Sequence, residues 1–542
     1  MPPSAQPGFI ERALRVLRPT HQHSAYSATL LLMSTVMLSR IVGYARDAYI
    51  AYAFGAGHQT DAYVAAFTVP DFLNYILAGG TTAITFIAIY TRYLANHEEA
   101  KADKTFSAIV TIMSAVLVVG IALAEVFAPQ ITHTIFPKFA PEQAQLCIYL
   151  TRILLPAQLF FYVGGIMSAV LSSHRMFLVP SLGPIIYNVG IIFGGVLLSH
   201  HFGIASLAIG AVAGSFLGPF LVNALGTSHT SIGFALNWDI GDPGFREWIR
   251  KTIPLMLGVS LVTADDWILR YFASGGVGDI TRLNYAKRLF MVPMAVLGQA
   301  AGAASLPFFA RLFNEKKFEE FSQSVSDSVY RIVAASVLLS AWMVSTALPV
   351  VDIVYRRGRF TFSDSVETAT FFAWFGISLA FWSAQAIYSR AFYAAGDTLT
   401  PMIATTIITV AIIPIYRVLF HLVGNVGLTM SSDIGIMVNV IAFAALLHRK
   451  RMVPAGIMRW SEVVKSLFSA TLAGVLSYRV AQMIPLNGSR VHDIERLGLA
   501  SLTWAAAVAS GLWLTRSQLL RDLRGRGRAT TPATTLPNVQ QV

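Results

Sequence analysis

The sequence predicts an all-α polytopic membrane protein with about fourteen transmembrane helices, and three observations predict this fold class. Of the 542 residues, 55% are hydrophobic and only 13% are charged, against roughly 25% charged residues in soluble domains. Apolar stretches long enough to cross a hydrocarbon core of about 30 Å recur along the whole chain. Lysine and arginine concentrate in alternate connections between these stretches, a distribution that sets membrane topology.

The apolar stretches form two series. They lie at roughly 27–53, 62–91, 105–128, 145–170, 180–199 and 204–226, then at 252–273, 282–310, 325–349, 367–395, 401–420, 428–447, 461–484 and 496–515. The count of fourteen depends on the short turn around His200–Gly203, because without it the fifth and sixth stretches would be a single one.

The loop charges predict that both termini are cytoplasmic. Most loop Lys and Arg residues then fall inside, in segments 1–26, 92–104, 171–179, 227–251, 311–324, 396–400, 448–460 and 516–542. Few fall outside, in segments 54–61, 129–143, 200–203, 274–281, 350–366, 421–427 and 485–495. The net charge of +12 therefore indicates topology, and no basic soluble domain is present to bind nucleic acid.

Eight charged residues interrupt three of the apolar stretches. They are Arg40, Arg46 and Asp47 in the first, Asp265, Asp266 and Arg270 in the seventh, and Lys287 and Arg288 in the eighth. Each costs at least about 2.5–3.5 kcal/mol at the bilayer centre, so such residues normally face a bundle interior or a water-filled cavity. They predict a polar pathway through the protein, and the cations among them indicate an anionic cargo.

The two halves of the chain contain matching motifs, which indicates an internal repeat. Aligning Pro70 with Pro293 also aligns Gly79 with Gly302, and a second match pairs Pro180 with Pro401 at nearly the same offset. That offset spans six helices, which predicts two parallel lobes with a binding site between them. Helices one, two, seven and eight should line this cleft, and the intramembrane charges fall in three of those four.

The repeat defines the expected domain organisation. It comprises a basic tail at 1–26, a first lobe of helices one to six at 27–226, a cytoplasmic interfacial linker at 227–251, a second lobe of helices seven to twelve at 252–447, helices thirteen and fourteen at 461–515, and a basic, disordered tail at 516–542. In the linker, Trp238, Phe245 and Trp248 beside several arginines are typical of a helix lying on a membrane surface.

Several motifs resemble one known family. The strongest is Ser39-Arg-Ile-Val-Gly-Tyr-Ala-Arg-Asp47, followed by Phe54-Gly-Ala-Gly57, Thr60-Asp-Ala-Tyr-Val-Ala-Ala-Phe67 and Pro70. Supporting motifs are Pro184-x-x-Tyr-Asn188, Tyr285-Ala-x-Arg288-Leu289 with Pro293, Gly358-x-Phe-Thr361, and Phe392-Tyr-x-x-x-Asp397-x-x-Thr400-Pro401. Over roughly residues 27–515 the chain resembles the lipid II flippase family, a branch of the multidrug/oligosaccharidyl-lipid/polysaccharide exporters.

The resemblance implies a fourteen-helix, two-lobed fold, a central cationic cavity and an alternating-access cycle. The implied cargo is lipid II, a polyprenyl-pyrophosphate-linked peptidoglycan precursor, and the implied location is the bacterial inner membrane. Helices thirteen and fourteen would form a groove for the lipid tail. The chain departs from the family at Asn74, Tyr75 and Gly79 in helix two and at Lys287 and Met291 in helix eight, so it is a divergent member whose glycan is not specified.

The candidate substrate-binding residues are Arg40, Arg46, Arg288, Lys287, Arg270 and Asp61. Arginine suits a pyrophosphate because its planar fork pairs with phosphate oxygens and stays charged. Each candidate has a structural alternative: Arg40 could pair between helices, Arg46 could pair with Asp47, Arg270 could snorkel, and Asp61 could cap helix two. Gly43 could loosen the first helix, and Pro293 should disrupt the helix near Arg288.

Asp265, Asp266 and Asp397 are candidates for a coupling-cation site, since acidic residues in membrane helices often mark ion or proton relays. Coupling to Na⁺, to H⁺ or to the membrane potential would each fit. The alternatives are internal salt bridges from Asp265 or Asp266 to Arg40, Arg288 or Lys287, and a cap or turn role for Asp397.

The leading hypothesis is therefore a flippase with a lipid-linked anionic glycan and the bilayer as its partners. An exporter of the same superfold for another lipid-linked glycan or a cationic drug is the first alternative, and a membrane-embedded glycosyltransferase is the second. The external loops are too short for the latter. No phosphate-binding Gly-x-x-x-x-Gly-Lys-Ser/Thr loop indicates ATP hydrolysis, and the single Cys147 excludes a cysteine metal cluster. No catalytic residue, metal site or cofactor is expected, and the oligomeric state is not indicated.

Overall fold

The structure is a computed structural model that describes residues 25–75, 80–230, 232–256, 261–454, 459–484 and 490–519. Within these ranges every regular element is a helix, which confirms the predicted all-α membrane fold. The predicted tails at 1–26 and 516–542 lie almost wholly outside the described residues, and so does Gly79.

The helices are numbered in chain order. The first eleven are α1 (Ala25–Phe54), α2 (His58–Ala66), α3 (Thr68–Leu73), α4 (Gly80–Ala95), α5 (Glu99–Ile135), α6 (Pro141–Leu154), α7 (Ala157–Ser173), α8 (Leu178–Phe202), α9 (Ala205–Ser215), α10 (Asn223–Thr227) and α11 (Pro243–Met256). The others are α12 (Leu261–Ala273), α13 (Asp279–Met294), α14 (Ala300–Asn314), α15 (Phe318–Ser345), α16 (Ala347–Tyr355), α17 (Phe362–Ile377), α18 (Leu379–Ala394), α19 (Leu399–Val423), α20 (Asn425–Arg449), α21 (Trp460–Gln482) and α22 (Arg490–Leu514).

Several predicted single spans are divided in the structure. In the described part of the chain, nine helical segments are long and apolar enough to cross a membrane, or ten if α17 and α18, bent by 44°, count as one. In the region of predicted helix two the structure has α2, α3 and α4. The break between α2 and α3 falls at Phe67, three residues before Pro70, which has no N–H to bond to the preceding turn, and residues 76–79 before α4 lie outside the described residues. The expected fourteen spans are therefore not all continuous helices.

The turn between α8 and α9 separates two spans that the sequence left ambiguous. Gly203 has a φ of +53°, a left-handed conformation that ends α8. The two helices then pack at backbone distance: a Cβ on Gly190 would lie 2.6 Å from Cα of Gly214, and one on Gly194 would lie 2.6 Å from Cα of Gly210. Only small residues allow this approach, which is a common device for pairing membrane helices.

Proline disrupts the helix after Arg288, as predicted. Pro293 lies in the last turn of α13, and the chain continues as a π-helical segment, Ala295–Gln299, before α14 begins. Because proline has no N–H to donate to the preceding turn, the regular hydrogen-bond ladder cannot run through it.

The chain divides into two compact units. The first comprises Met1–Tyr285, Val354–Thr368 and Ile413–Leu428, and its core packs Phe86, Phe106, Tyr162 and Trp248. The second comprises Ala286–Ile353, Ala369–Ile412 and Thr429–Val542. Its core packs the aromatic rings of Phe309, Phe321, Phe392 and Phe443.

The predicted interfacial helix differs from the observed one. The linker is extended from residue 232 to 239, and helix α11 begins only at Pro243 and continues past residue 251. Phe245 and Trp248, expected at a membrane surface, are instead buried against α4, α5 and α7, and Trp248 is 0% exposed. Of the three aromatic residues expected at the surface, Trp238 is exposed.

Loops that the sequence assigned to the same side contact each other within the first unit. On the predicted inner side, Arg92 donates to Glu247 at 3.1 Å, Lys104 pairs with Asp239 at 2.8 Å, and the hydroxyl of Thr105 donates to Asp242 at 2.8 Å. The guanidinium of Arg92 and the ammonium of Lys251 lower the pKa of Glu247 to about 2. Such contacts agree with the loop charges, which predicted that segments 92–104 and 227–251 lie on the same side of the membrane.

On the predicted outer side, the connections at 129–143, 274–281 and 421–427 also approach one another inside the first unit. The ammonium of Lys138 lies 4.8 Å from the ring centre of Phe420, and its side chain packs beside Gly275. These loops therefore lie on the same side as one another, as predicted.

Candidate functional site

Arg46 is held in one orientation by two partners. Its Nε and one terminal nitrogen donate to the same carboxylate oxygen of Asp47, at 3.0 and 2.8 Å. Its other terminal nitrogen donates to the side-chain oxygen of Asn188 on α8, at 2.8 Å. The pairing with Asp47 was the structural alternative considered above, whereas the contribution of Asn188 was missed. Its signal in the sequence is the Pro184-x-x-Tyr-Asn188 motif.

Arg40 lies on the same helix but in a different environment. Its side chain is exposed, and it is six residues from Arg46, about 600° around a helix. Helix α1 continues without a break through Gly43, so the expected loosening that would bring both arginines to one face is wrong.

A polar pocket of about 290 Å³ lies between α12 and the segment that contains α3. Asp71, Asn74 and Tyr75 line it from one side. Thr263, Asp266, Trp267 and Arg270 line it from α12. Their spacing of three, four and seven residues places all four on one face of the helix. The structure therefore brings predicted helices two and seven together, as the repeat indicated.

Arg270 points into this pocket. One terminal nitrogen lies 3.1 Å from the hydroxyl of Thr68 and 3.5 Å from a carboxylate oxygen of Asp71, and only 12% of the side chain is exposed. Snorkelling toward the membrane surface is therefore wrong for Arg270. Asp71 and Asp266 also line the pocket, so it contains two carboxylates and one guanidinium group.

Aromatic and amide groups complete the pocket wall. The ring centre of Trp267 lies 5.5 Å from that of Phe72 and 6.4 Å from that of Tyr75, both in edge-to-face geometry. The amide of Asn74 donates to the side-chain oxygen of Gln158 at 3.0 Å. Asn74 and Tyr75, where the family carries basic residues, thus contribute neutral surface.

Asp265 lies on α12 beside the pocket-lining face and is buried. Its carboxylate accepts a hydrogen bond from the hydroxyl of Tyr416. The ring of Tyr416 stacks on Phe272, with 6.3 Å between ring centres. This neutral partner was not among the cationic alternatives considered from the sequence.

Asp61 is a cap, but not of its own helix as the sequence suggested. The N-terminus of α2 is capped by Gly57 and Thr60, because the Gly57 N–H donates to the Thr60 hydroxyl at 2.8 Å. The buried carboxylate of Asp61 instead accepts the N–H groups of Gly278 and Thr281, at 2.6 and 2.9 Å. These are donors at the start of α13, and the first N–H groups of a helix have no partner within the helix itself.

Arg282 forms a further link on the same side of the first unit. Its guanidinium contacts Asp279 at 2.8 Å, Asp364 at 3.0 Å and Glu367 at 2.8 Å. Asp364 also accepts the N–H and hydroxyl of Thr361, both at 2.8 Å, and donates its own N–H to that hydroxyl at 3.3 Å, which forms a capping box at the start of α17. Sequence reasoning missed Arg282. Its signal is the three-residue spacing from Asp279 at a helix start.

The backbone conformation and packing at position 358 require a glycine. Gly358 has a φ of +57°, and a Cβ there would lie 2.3 Å from the backbone oxygen of Tyr52. The next residue, Arg359, donates its N–H to that same oxygen at 3.0 Å. Glycine is therefore required for the loop to seat against the end of α1. We call the contacts of Asp61, Arg282 and Arg359 the outer latch.

Lys287 and Arg288 lie on α13 in the second unit. Lys287 is buried and Arg288 is half-buried. As neighbours on a helix, their side chains leave the axis about 100° apart, which agrees with the expectation that they do not share one partner.

Asp397 makes the turn contacts that were weighed against ion coupling. It accepts the N–H of Thr400 at 3.0 Å and pairs with the ammonium of Lys450, which also donates to the Thr400 hydroxyl at 2.8 Å. Although burial opposes ionisation, these hydrogen bonds and the nearby ammonium hold the pKa of Asp397 below its ordinary value.

The second unit contains an apolar groove of about 800 Å³. Helix α15 forms one wall and α21 the other, with Ile377 and, toward one end, Arg479 and Gln482. Predicted helices thirteen and fourteen were expected to form the groove together. However, no residue of α22 is among those that line it in the described part of the chain. Instead α22 supports the groove from behind, through the hydrogen bond from Trp342 to Ser501 at 2.9 Å.

Comparison with known proteins gives consistent results. Residues 50–491 match the sequence model of the family described as "Lipid II flippase MurJ". The "Lipid II flippase MurJ" of Burkholderia cenocepacia is 29% identical over 513 residues, 90% of this chain and 97% of that protein. The "Probable lipid II flippase MurJ" of Rickettsia prowazekii is 23% identical over 83% of this chain and 89% of its own length.

Solved structures show the same fold. One described as "Lipid II flippase MurJ, inward closed conformation" superposes with a TM-score of 0.73 at 20% identity, over 91% of this chain and 100% of that one. An inward-facing multidrug resistance MATE family transporter of the MOP superfamily gives a TM-score of 0.61 at 16% identity, over 78% of this chain and 98% of that one.

Proposed function

Because the chain belongs to the lipid II flippase MurJ family, we propose that it translocates lipid II across the bacterial inner membrane by alternating access. The apolar groove between α15 and α21 is the observation that carries the proposal. A polyprenyl-linked cargo needs a surface for its long tail as well as a polar cavity for its head group. An exporter of small soluble compounds needs only the cavity.

The groove suits a polyprenyl tail in chemistry and in position. Its walls are mainly aliphatic, with Val337, Val344, Leu467 and Val475 among them. Gly474 faces Ala341, and a Cβ on it would lie 3.3 Å from the Cβ of Ala341, so the two walls approach each other closely at this point. The two helices that build and support the groove from the C-terminal side, α21 and α22, lie outside the six-plus-six repeat, and a separate task for them agrees with that position.

The intramembrane arginines are the proposed partners of the pyrophosphate. Arg46 has its fork fixed by Asp47 and Asn188, so little side-chain entropy would be lost when a phosphate binds beside it. Arg40 is exposed and Arg288 is half-buried, so neither residue is wholly enclosed by protein. Lys287, Arg270 and Asp61 are secondary candidates, and for Arg270 and Asp61 the observed contacts favour structural support.

The outer latch supports a mechanism in which the predicted external side is closed in this state. Release of the cargo to that side would require Asp61 to separate from Thr281, and Arg282 from Asp364. Both contacts join the first turns of helices through a few charged hydrogen bonds, so they can break and re-form without unpacking a helix core. We propose that cargo binding and latch opening alternate.

The energy source is proposed to be a cation gradient or the membrane potential. Asp265 and Asp266 on α12 and Asp397 between α18 and α19 are the candidate acidic groups. Each charge that moves across 100 mV contributes about 2.3 kcal/mol, which is enough to bias the return step. The contacts of Asp397 with Lys450 and Thr400 make it the weakest candidate of the three.

A second candidate function is export of a cationic compound. The pocket that Asp71, Asp266 and Trp267 line favours it, because carboxylates and an indole ring are groups that bind organic cations. Uptake of fluorescent lipid II and of a lipophilic dye cation into proteoliposomes distinguishes the two. Protein-dependent movement of lipid II with no movement of the dye supports the flippase. The opposite result supports the exporter.

The proposed orientation places both termini in the cytoplasm. In a Cys147→Ala background, single cysteines at Lys138 and at Lys316 should differ in their reaction with a membrane-impermeant maleimide added outside intact inner membrane. We expect labelling at position 138 and protection at position 316. The reverse pattern would invert the topology.

A further inference from the structure

The extended segment before α11 carries an apolar stripe. Phe234, Leu236 and Trp238 are 57%, 76% and 62% exposed, and Ile240 in the turn that follows is 65% exposed. Side chains two residues apart in an extended chain point to the same face, so the first three form one continuous surface. A stripe of this kind in contact with water would be unfavourable, so its environment needs an explanation.

The other edge of the segment is fixed to α5 in register. The N–H of Gly233 donates to Asp103, that of Ala235 to the Ser107 hydroxyl at 3.2 Å, and that of Asn237 to the Thr111 hydroxyl at 3.2 Å. Two residues of extended chain advance roughly 6.6 Å, and four residues of helix advance about 6 Å. The segment therefore follows one face of α5, with one hydrogen bond per helical turn.

The segment then returns to the start of α5. Asp239 pairs with Lys104 at 2.8 Å, and Asp242 accepts from Thr105 at 2.8 Å. The excursion therefore climbs from the charged end of α5 as far as Thr111, about 10 Å along the helix. Among the candidate spans of the described chain, helix α5 contains the most apolar stretch of membrane-crossing length.

The lipid-facing surface of α5 begins where its contacts with the segment before α11 end. Ser107 and Thr111 are buried, whereas Val118, seven residues beyond Thr111 and on the same face, is 48% exposed. Val126, two turns further, is also exposed. The apolar stripe thus continues the lipid-facing surface of the helix, over two turns whose own side chains on that face are hydroxyls.

We propose that residues 233–240 form an interfacial strap that is immersed in the bilayer, with Phe234, Leu236 and Trp238 inserted among the lipids of the predicted cytoplasmic leaflet. Aromatic and aliphatic side chains at the head-group boundary are typical membrane anchors. The Ser107 and Thr111 hydroxyls satisfy backbone groups that would otherwise be exposed to lipid. The remaining backbone N–H and C=O groups must bond to water. Because water is absent from the hydrocarbon core, the strap is limited to the interface.

The strap also has a mechanical consequence. It fastens the connection between the two repeats to α5, so the connection should move with the first repeat whenever the repeats move. This inference does not depend on lipid II as cargo. It would survive a different substrate, and the proposed function would survive its failure.

Spin-label accessibility tests the strap directly. In a Cys147→Ala background reconstituted in phosphatidylethanolamine and phosphatidylglycerol vesicles, nitroxides at Leu236→Cys and Trp238→Cys should collide several-fold more with oxygen, relative to a water-soluble nickel chelate, than one at Glu320→Cys. A label at Val126→Cys gives the reference for lipid. A ratio at position 236 equal to that at position 320 would overturn the proposal. The proposal would also be overturned if the ratio were lipid-like in native membranes but not in these vesicles, since that result would indicate a protein partner.

The register on α5 is tested by removing the two hydroxyls. The double variant Ser107→Ala, Thr111→Ala should increase the mobility and nickel accessibility of the label at position 236. A Ser340→Ala variant, on α15 in the second unit, is the matched control and should leave the label unchanged. An unaltered spectrum in the double variant would show that these hydrogen bonds do not hold the strap in the membrane.

Discussion

The carboxylate of Asp61 accepts hydrogen bonds from both the backbone N–H and the hydroxyl of Thr281, at 2.9 and 2.7 Å, although 220 residues separate them. One acidic residue at the start of α2 thereby caps the start of α13. Together with Arg282 and Arg359, this contact closes one side of the first unit. The strength of a buried, charge-assisted cap makes it a natural control point for a conformational cycle.

Asp61→Ala should destabilise the protein. The N–H groups of Gly278 and Thr281 would lose their acceptor while buried, which should lower the free energy of unfolding by about 1–3 kcal/mol. Asp61→Asn should lose less, because its amide oxygen still accepts one bond. Thermal melting of the detergent-purified protein measures both, with the exposed Glu142→Ala as control. If Asp61→Ala melts with the wild type, the cap has no energetic role.

Arg46 and Asn188 should be energetically coupled. Because one terminal nitrogen of Arg46 donates to Asn188, removing either partner should remove most of the same interaction. A double-mutant cycle of Arg46→Ala and Asn188→Ala should give a coupling energy of about 0.5–3 kcal/mol in thermal stability. Additive effects of the two changes would contradict the contact. Pairing Arg46→Ala with Thr134→Ala, whose hydroxyl donates to the backbone oxygen of Gln130 on its own helix, gives the uncoupled reference.

Arg270 and Asp71 offer a charge-swap test of structure against substrate binding. If their interaction is structural, Arg270→Asp alone should lower stability, and Arg270→Asp with Asp71→Arg should recover much of it. Lipid II transport by a stable double variant would then show that the cation at position 270 is not a substrate ligand. A stable double variant without transport would instead assign Arg270 to the cargo site.

Asp265 can be separated from its hydrogen bond. Tyr416→Phe removes the hydroxyl donor and keeps the carboxylate, whereas Asp265→Asn removes the charge. If Asp265 binds the coupling ion, only Asp265→Asn should abolish stimulation of transport by an ion gradient in proteoliposomes. Preserved ion dependence in a less stable Asp265→Asn variant would make this carboxylate structural.

The sequence alone predicted the membrane class and the helices that carry the polar residues. Charge in an apolar stretch is conspicuous, and the repeat indicated that helices two and seven meet, as Asp71 and Arg270 do in the structure. The intrahelical pair of Arg46 and Asp47 was also predictable, because it depends only on neighbours in one helix.

Partners distant in the chain could not be predicted. Asp61 looked like a cap for the helix it begins, and only tertiary packing reveals that it serves α13 instead. Asn188 and Arg282 are ordinary polar residues until another helix approaches them. The strap was read as a helix because its aromatic residues suit an amphipathic surface. Its hydroxyl partners on α5 stabilise an extended chain. Because these partners lie on another segment, the local sequence of the strap does not indicate them.

The central claim, translocation of a pyrophosphate-linked lipid, is tested most directly by complementation of a bacterial strain depleted of its own lipid II flippase. The wild-type chain should restore growth. Each lost arginine should weaken binding by about 2–5 kcal/mol, because a desolvated phosphate is left without its partner. Arg288→Ala should therefore fail at normal expression, with Arg288→Lys rescuing only partly. Full complementation by a normally expressed variant with Arg40, Arg46 and Arg288 all changed to alanine would contradict the account.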